Sequence, residues 1–264
     1  MPAYWFRHPI STRSSTSRAK LQSMAGYVDV HSHLVFGVDD GARSLDESLR
    51  LLTEARDTGT RLIFATPHVV PPYLNWNASQ ERLARIRRHF AAMAELAPAG
   101  IEVRLGFEIT ARPQRLRADD DVHRFRLAGT EFVLMDGPQA VPWHGDSTME
   151  RYVRRIRAEG LTPILAHPER RACWRGDHDL GFAERMKAAG ALLQVDASGL
   201  TGADGPGSDV EARRLLAEGL IDLIGSDGHG TKSPVRLDVA RTMAAEVVGE
   251  AAATRMVDGS VLGL

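Results

Sequence analysis

The chain has 264 residues, of which 43% are hydrophobic and 25% charged, and its 33 basic and 34 acidic side chains leave a net charge of -1. This length fits one large α/β domain, and the balanced charge lacks the basic excess of a nucleic-acid-binding protein. No apolar run approaches the roughly 18 residues of a membrane span, so we expect no membrane-spanning segment.

The single cysteine and the first residues bear on location and mechanism. Cys173 has no intrachain disulfide partner, which agrees with a reducing compartment, and we expect a cytoplasmic protein. Cysteine-dependent tyrosine phosphatases need an arginine six positions after the nucleophile, but position 179 is Asp, so Cys173 is interpreted as a plain thiol.

Residues 1–24 are basic and rich in Ser and Thr, and we interpret them as a disordered leader or a misassigned start before a domain at 25–264.

From residue 27 onward, short apolar segments alternate with amphipathic ones. Capping boxes at Ser44–Glu47 and Ser147–Glu150 predict the starts of two helices. The predicted strands are 27–31, 61–66, 101–109, 131–135, 162–166, 191–196 and 221–225. The predicted helices are approximately 44–58, 77–97, 147–160, 180–189, 209–218 and 234–248. The Gly-rich segment 199–208 is predicted to be a flexible loop.

The alternation predicts about seven β/α units in a single domain. Such units form a parallel sheet with right-handed crossovers. Closure into a TIM-like barrel is the favoured form, and an open doubly wound sheet is the alternative. No GxGxxG motif follows the first strand, which disfavours a dinucleotide-binding version of that alternative.

Polar side chains follow several predicted strands, at the edge where a parallel barrel carries its active site. Alternation along the chain places His31 and His33 on one face, so both imidazoles can reach one ion. The other metal-ligand candidates near strand ends are Asp40, His68, Glu108, His167, Asp227 and His229. Imidazole and carboxylate ligands suit Mn, Fe, Zn or Co, and this set is large enough for two or three ions.

Other polar residues receive different interpretations. Asp39 is predicted to be a turn residue. Five histidines without a strand-end position are predicted to be surface or structural residues: His8, His89, His123, His144 and His178. A strand-end histidine can also be a capped core residue, but the His31–His33 pair is hard to explain by packing.

Two arginines are candidates for binding phosphate, because a guanidinium group presents a fork that matches two phosphate oxygens. Arg170 follows His167 closely and could instead pair with Glu169, and Arg236 could instead lie on an exposed helix face. Tyr73 and Trp76 could stack on an aromatic substrate or pack their own loop. Asp40 and His229 are the candidates for a general acid, although both are more useful as metal ligands.

Six segments together resemble the PHP (polymerase and histidinol phosphatase) superfamily. More narrowly, they resemble the bacterial manganese-dependent tyrosine-protein phosphatases encoded with capsule and exopolysaccharide genes. The segments are DVHSHLVFGVDDGARS (29–44), ATPH (65–68), GFEI (106–109), AHPER (166–170), QVDASGLTG (194–202) and GSDGH (225–229). The resemblance covers roughly residues 27 to 262, and the combination and order of the motifs are specific.

The resemblance implies a distorted (β/α)7 barrel that binds up to three metal ions, with Mn²⁺ favoured over Fe, Co or Zn. The implied ligands are His31, His33, Asp40, His68, Glu108, His167, Asp227 and His229. Arg170 matches the phosphate-binding arginine after HPE, and Arg236 is the nearest candidate for a second one, at a different spacing. The implied reaction is hydrolysis of protein phosphotyrosine by metal-activated water, and the implied partner is a bacterial tyrosine kinase that controls capsule or exopolysaccharide synthesis.

The chain departs from that family in two loops expected to rim the substrate. VVPPYLNW (69–76) replaces a Gly-rich loop, and MDGPQAVPWHG (135–145) replaces a stretch that is more often acidic and then apolar. The alternatives are therefore a phosphatase for a small metabolite such as histidinol phosphate, an amidohydrolase or TatD-like nuclease, and a scaffold with a decayed site. The amidohydrolases and nucleases share the first HxH but lack the pairing of ATPH with SDGH.

Overall fold

A computed structural model of the chain describes residues 26–69, 76–110, 122–136, 147–171, 180–230 and 233–264, with the backbone alone at 76–79 and 147–148. Its strands are β1 Tyr27–Asp29, β2 Thr60–Ala65, β3 His68–Val69, β4 Glu102–Leu105, β5 Glu108–Thr110, β6 Phe132–Asp136, β7 Thr162–Ala166, β8 Leu192–Asp196 and β9 Leu223–Gly225. Its α-helices are α1 Leu45–Asp57, α2 Trp76–Glu95, α3 Ser147–Ala158, α4 Gly181–Ala188, α5 Ala197–Thr201, α6 Ser208–Ala217, α7 Leu237–Val248 and α8 Glu250–Arg255. Short 3-10 helices cover Val122–Phe125 and Ser260–Leu262.

The strands form two parallel ladders. One has the order β1-β2-β4, and the other has the order β3-β5-β6-β7-β8-β9. Beyond β1 and β9, Ser32 and Gly228 form an isolated parallel bridge, where the His33 amide donates to the Gly228 carbonyl at 3.0 Å. The prediction of an α/β fold with parallel strands is therefore confirmed. None of the described helices is long and apolar enough to cross a membrane.

The predicted strand 101–109 is wrong, because the structure divides it into β4 and β5. The division falls at Gly106 and Phe107, and it moves the chain from one ladder to the other. A Cβ atom on Gly106 would lie 2.6 Å from a methyl carbon of Leu127, so the close approach of this segment requires glycine. The loop predicted at 199–208 is also partly wrong, since α5 extends to Thr201 and ends at Gly202, which has a φ of 78°.

The predicted start of α1 is confirmed at the atomic level. The Ser44 hydroxyl accepts a hydrogen bond from the Glu47 amide at 3.2 Å. The Glu47 carboxylate accepts from the Arg43 amide at 2.9 Å, one residue before the amide that a standard capping box would use. The cap places Leu51 and Leu52 toward the core, where both are fully buried.

Apart from β4, which has no fully buried residue, the strands bury most residues on both faces, as parallel strands covered by helices do. An outer apolar cluster packs the strands against the helices. A smaller inner cluster contains Val28 and Leu62 of the first ladder together with Leu134, Ile164 and Leu223 of the second. Because the two ladders share this inner core, the ends of their strands meet at one edge.

Candidate metal centre

The ends of β1 and β9 are fastened together by Asp29. One carboxylate oxygen of Asp29 accepts from the His31 amide at 3.2 Å and from the Ser226 amide at 3.0 Å. Burial raises the pKa of Asp29 to about 6. The Asp227 amide also donates to the His31 carbonyl at 2.9 Å. These contacts bring the DVHSH and GSDGH segments side by side.

Four buried side chains converge at this junction. The Nε2 atoms of His31 and His33 lie 3.2 Å apart. Asp227 Oδ1 lies 3.1 Å from the first and 3.2 Å from the second. Glu108 Oε2 lies 3.5 Å from His31 Nε2 and 3.3 Å from His33 Nε2. Both predicted ligands from β1 therefore face carboxylates delivered by β5 and by the end of β9.

The remaining predicted ligands surround this core on two sides. Five groups of described side chains have potential ligand atoms within 4.8 Å of one another, and four of them contain predicted ligands: His33 with Asp40, His68 and His229; His31 with His33 and Glu108; His31 with His167 and Asp227; Glu108 with Asp136 and His167. The fifth, Glu169 with Asp196 and Asp204, contains none of them. The structure thus brings together all eight ligands that the sequence predicted. It adds Asp136, the last residue of β6, whose strand-end position was the signal that could have identified it.

The spacing of these atoms fits metal ions. Ligand atoms about 2.1 Å from an ion at octahedral or tetrahedral angles lie roughly 3.0–3.4 Å apart, close to the distances at this junction. Asp227 Oδ1, Glu108 Oε2 and His68 Nδ1 are buried without a hydrogen bond to any described residue. Glu108 Oε2 and His68 Nδ1 lie 2.7 Å apart, but at an angle that makes no hydrogen bond. Lone pairs that converge in this way suit a shared cation.

The pKa shifts of the clustered side chains also favour cation binding. Burial lowers the pKa of His33, but the contacts with Asp227, Asp39 and Glu108 outweigh it and hold the pKa well above its usual value. Burial raises the pKa of Asp227, but the neighbouring histidines and Arg170 outweigh it and hold the pKa well below its usual value. The pocket therefore keeps carboxylates ionised and favours positive charge between them.

Two ligand candidates have strained backbones. His167 has a φ of 41° and Asp227 a φ of 48°, and they are the only non-glycine residues with positive φ in the described part of the chain. Such conformations cost energy and persist where the surrounding structure fixes them, often at functional sites. His167 Nε2 lies 3.1 Å from Glu108 Oε1, and burial lowers the pKa of His167 to about 4.

The second ring nitrogens of the histidines have partners of their own. His31 Nδ1 lies 2.9 Å from Gln194 Oε1, His33 Nδ1 lies 2.9 Å from Asp39 Oδ2, and His229 Nδ1 lies 2.7 Å from the Asp227 carbonyl. With an ion in the cluster, each acceptor would hold the ring proton on Nδ1 and leave the inward-directed Nε2 to bind the ion. Asp39 also accepts from the Gly41 amide, so it has the predicted turn role and an orienting role that the sequence did not reveal.

Arg170 lies at the edge of the cluster, held by three carboxylates. Its Nε donates to Asp204 at 3.0 Å, and its Nη2 lies 2.8 Å from Asp196 and 2.5 Å from Asp227. Neighbouring Glu169 does not lie on the surface, as considered from the sequence, because it is fully buried and its carboxylate accepts from the Asp196 amide at 3.0 Å. Burial raises the pKa of Glu169 to about 8.

The other predicted substrate residues lie elsewhere. Arg236 precedes α7 and forms a bidentate pair with Asp238 at 2.8 Å for both bonds. No hydrogen bond or ion pair joins Arg236 to a described residue of the cluster, so its phosphate-binding role stays a prediction. Tyr73 lies outside the described residues. Among the candidate acids, the contact with His229 holds the pKa of Asp40 below its usual value, which suits a carboxylate ligand better than a proton donor.

The parallel α/β fold and the histidine–carboxylate centre at its strand ends define a class of proteins equipped to bind metal ions at the carboxyl edge of a sheet. The family described as capsular polysaccharide synthesis, CpsB/CapC, matches residues 27–259. The chain belongs to this family.

Individual relatives are moderately similar. Tyrosine-protein phosphatase YwqE of Bacillus subtilis is 27% identical over 214 residues, 78% of each chain. Tyrosine-protein phosphatase CpsB of Streptococcus agalactiae is 27% identical over 213 residues, 76% of this chain and 82% of that one. Both share most of their length with the present chain.

Solved structures share the fold. A crystal structure from the pair YwqE of Bacillus subtilis and CpsB of Streptococcus pneumoniae, described as unique metal-dependent tyrosine phosphatases, has a TM-score of 0.66 and 23% identity, covering 87% of this chain and 90% of that one. The phosphotriesterase homology protein of Escherichia coli, in complex with phosphate, has a TM-score of 0.54 and 12% identity, covering 90% of this chain and 99% of that one.

Proposed function

We propose that this chain is a metal-dependent phosphatase that hydrolyses phosphotyrosine on proteins. The observation that carries the proposal is the convergence of histidine and carboxylate side chains from both ladders next to the partly buried Arg170. Relatives named as tyrosine-protein phosphatases, which align over about four fifths of their length, support the substrate class.

The proposed cofactor is Mn²⁺, with up to three ions per chain, and Fe, Co and Zn as alternatives. Its ligands would be His31, His33, Asp40, His68, Glu108, His167, Asp227 and His229, joined by Asp136. Bound ions of this kind lower the pKa of a coordinated water toward neutrality and neutralise charge on a phosphoryl group.

The protein's own contribution is to position the phosphate. Arg170 is only 13% exposed, and Asp196 and Asp204 fix its guanidinium beside Asp227. A fixed guanidinium can neutralise charge that develops on phosphate oxygens without having to reorganise during the reaction.

The substrate would enter at the open side of the cluster. The side chains of His68, His229 and Asp40 are 30%, 20% and 70% exposed, whereas those of His31 and His33 are fully buried. A tyrosine leaving group has a pKa of about 10, so its departure needs less help from a general acid than an alkyl alcohol would.

The same proposal includes the closure of the barrel, the physiological partner and the cellular location. The two ladders close into a distorted (β/α)7 barrel through the contact between Ser32 and Gly228. The physiological partner is a bacterial tyrosine kinase that controls capsule or exopolysaccharide synthesis, as expected for this family. The enzyme meets this kinase in the cytoplasm.

The proposal is tested by phosphate release from a phosphotyrosine peptide and from histidinol phosphate, measured side by side with excess Mn²⁺. We expect peptide turnover with a much higher kcat/KM. Turnover of histidinol phosphate alone would be consistent with the metal centre, but it would show that the substrate is a small metabolite and not a phosphotyrosine protein.

A further inference from the structure

Helix α2 presents an arginine-rich side close to the metal centre. Its core-facing residues Leu83, Ile86 and Met93 are buried. Arg85 and Arg88 are exposed, and Arg82 is partly buried. The spacing of three residues places Arg82, Arg85 and Arg88 on neighbouring positions of the helix surface.

Arg82 connects this helix to the proposed ligands. Its Nη2 donates to the main-chain carbonyl of His68 at 3.0 Å. Because a helix rises 1.5 Å per residue, Arg85 and Arg88 lie about 4.5 and 9 Å further along the axis from Arg82. The arginines therefore extend from the rim of the metal centre outward.

These side chains line an open cavity of about 540 Å³, which we call the arginine pocket: Arg82, Arg85 and Arg88, with Glu81. No described side chain forms an ion pair with Arg85 or Arg88. By contrast, exposed Arg154 is paired with Glu150, and Arg213 is paired with Glu246. The pocket thus sets three arginines against one glutamate, which is a local excess of positive charge on a chain whose net charge is -1.

We propose that the arginine pocket binds acidic side chains next to the phosphotyrosine of the substrate. This inference rests on the proposed function and adds a preference for substrate sequence. Guanidinium groups match the geometry of carboxylates, and an exposed basic patch draws an acidic segment toward the site. An extended peptide spans about 3.3 Å per residue, so carboxylates roughly two to four residues from the phosphotyrosine reach Arg85 and Arg88.

The experiment uses the full-length, Mn²⁺-loaded protein with three substrates. These are free phosphotyrosine, a phosphotyrosine peptide with Asp and Glu at the second to fourth neighbouring positions, and the same peptide with Asn and Gln. Arg85→Glu and Arg88→Glu are compared with Arg87→Glu, which makes the same charge change at an exposed position of the same helix outside the pocket lining.

We expect the wild type to prefer the acidic peptide. Each pocket variant lowers kcat/KM for this peptide roughly 3- to 10-fold, mainly through KM, and changes the rate on free phosphotyrosine less than twofold. Arg87→Glu loses less than twofold on the acidic peptide. In 1 M salt, where the Debye length is about 3 Å, the preference shrinks.

Several results would overturn the inference. Equal kcat/KM of the wild type for both peptides would show that the arginine pocket does not recognise the substrate. The same conclusion would follow if Arg87→Glu lost as much kcat/KM on the acidic peptide as the pocket variants do. Binding to phosphatidylserine vesicles that Arg85→Glu abolishes, without discrimination between peptides, would assign the pocket to a lipid surface. A wild type that hydrolyses no phosphotyrosine substrate at all would refute the proposed function itself, which the free phosphotyrosine measurement reveals separately.

Discussion

Three proposed ligand histidines use their second ring nitrogen with three different acceptors: an amide for His31, a carboxylate for His33 and a main-chain carbonyl for His229. An acceptor at this position fixes the ring and its tautomer, and its loss commonly weakens metal binding. The amide of Gln194 is itself held, because its nitrogen donates to Asp196 at 2.6 Å.

Gln194→Leu tests this support for His31. The variant buries the Nδ1–H of His31 without an acceptor, which costs about 1–3 kcal/mol of stability. We expect metal affinity, measured by calorimetric titration, to fall roughly 10- to 100-fold. Thermal unfolding of the metal-free variant measures the structural cost separately. Unchanged metal affinity would show that Gln194 does not orient a ligand.

Asp39→Ala tests the corresponding support for His33. The variant removes the acceptor for His33 Nδ1 and for the His68 amide, which donates to Asp39 at 3.1 Å. We expect roughly a 10- to 100-fold loss of metal affinity. Asp57→Ala is the matched control, since that carboxylate is 58% exposed and pairs only with Arg56 among the described residues. Equal metal affinity in the two variants would contradict the orienting role of Asp39.

For individual residues, the sequence predicts which side chains approach the site but not which hydrogen bonds join them. The convergence of the candidate ligands could be predicted, because strand-end position and residue type both indicate metal binding. Asp39 and Gln194 could not, because their role depends on one oxygen meeting one ring nitrogen across the fold. Gln194 lies 163 positions from the histidine that it contacts.

The sequence predicts where strands occur better than it predicts whether a strand is continuous. The predicted strand 162–166 coincides with β7, whereas 101–109 is split. Apolar patterning runs unbroken through Gly106 and Phe107, and only tertiary contacts set the division: the Gly106 amide donates to the Ala65 carbonyl, and the Glu108 amide donates to the Pro67 carbonyl. This division directs Glu108 into the centre.

Gly225→Ala tests how closely the elements approach at the end of β9. A Cβ atom there would lie 2.8 Å from Gln194 Nε2 and 2.8 Å from His31 Cβ. We expect a loss of about 1–3 kcal/mol in the free energy of unfolding, together with weaker metal binding. Gly160→Ala is the control, because its Cβ meets nothing within 4 Å and only backbone strain results from its φ of 79°. Weaker metal binding in both variants would contradict a local effect on His31.

For the whole molecule, the site depends on two ladders that share one inner core. Each ladder contributes part of the centre, His31 and His33 from the end of β1 and Glu108 from β5, so only the assembled fold produces it. The alternation of elements predicted this parallel arrangement. It could not predict the two ladders, since pairing depends on long-range register that short apolar segments do not specify.

The measurement that tests the central claim most directly starts from protein stripped of metal with EDTA. Mn²⁺ is then titrated back while bound metal and phosphate release from a phosphotyrosine peptide are followed in the same sample. We predict negligible turnover in the stripped protein, recovery as the ions bind, and no recovery in His33→Ala. Full turnover by the stripped protein, or full recovery in His33→Ala, would contradict the account.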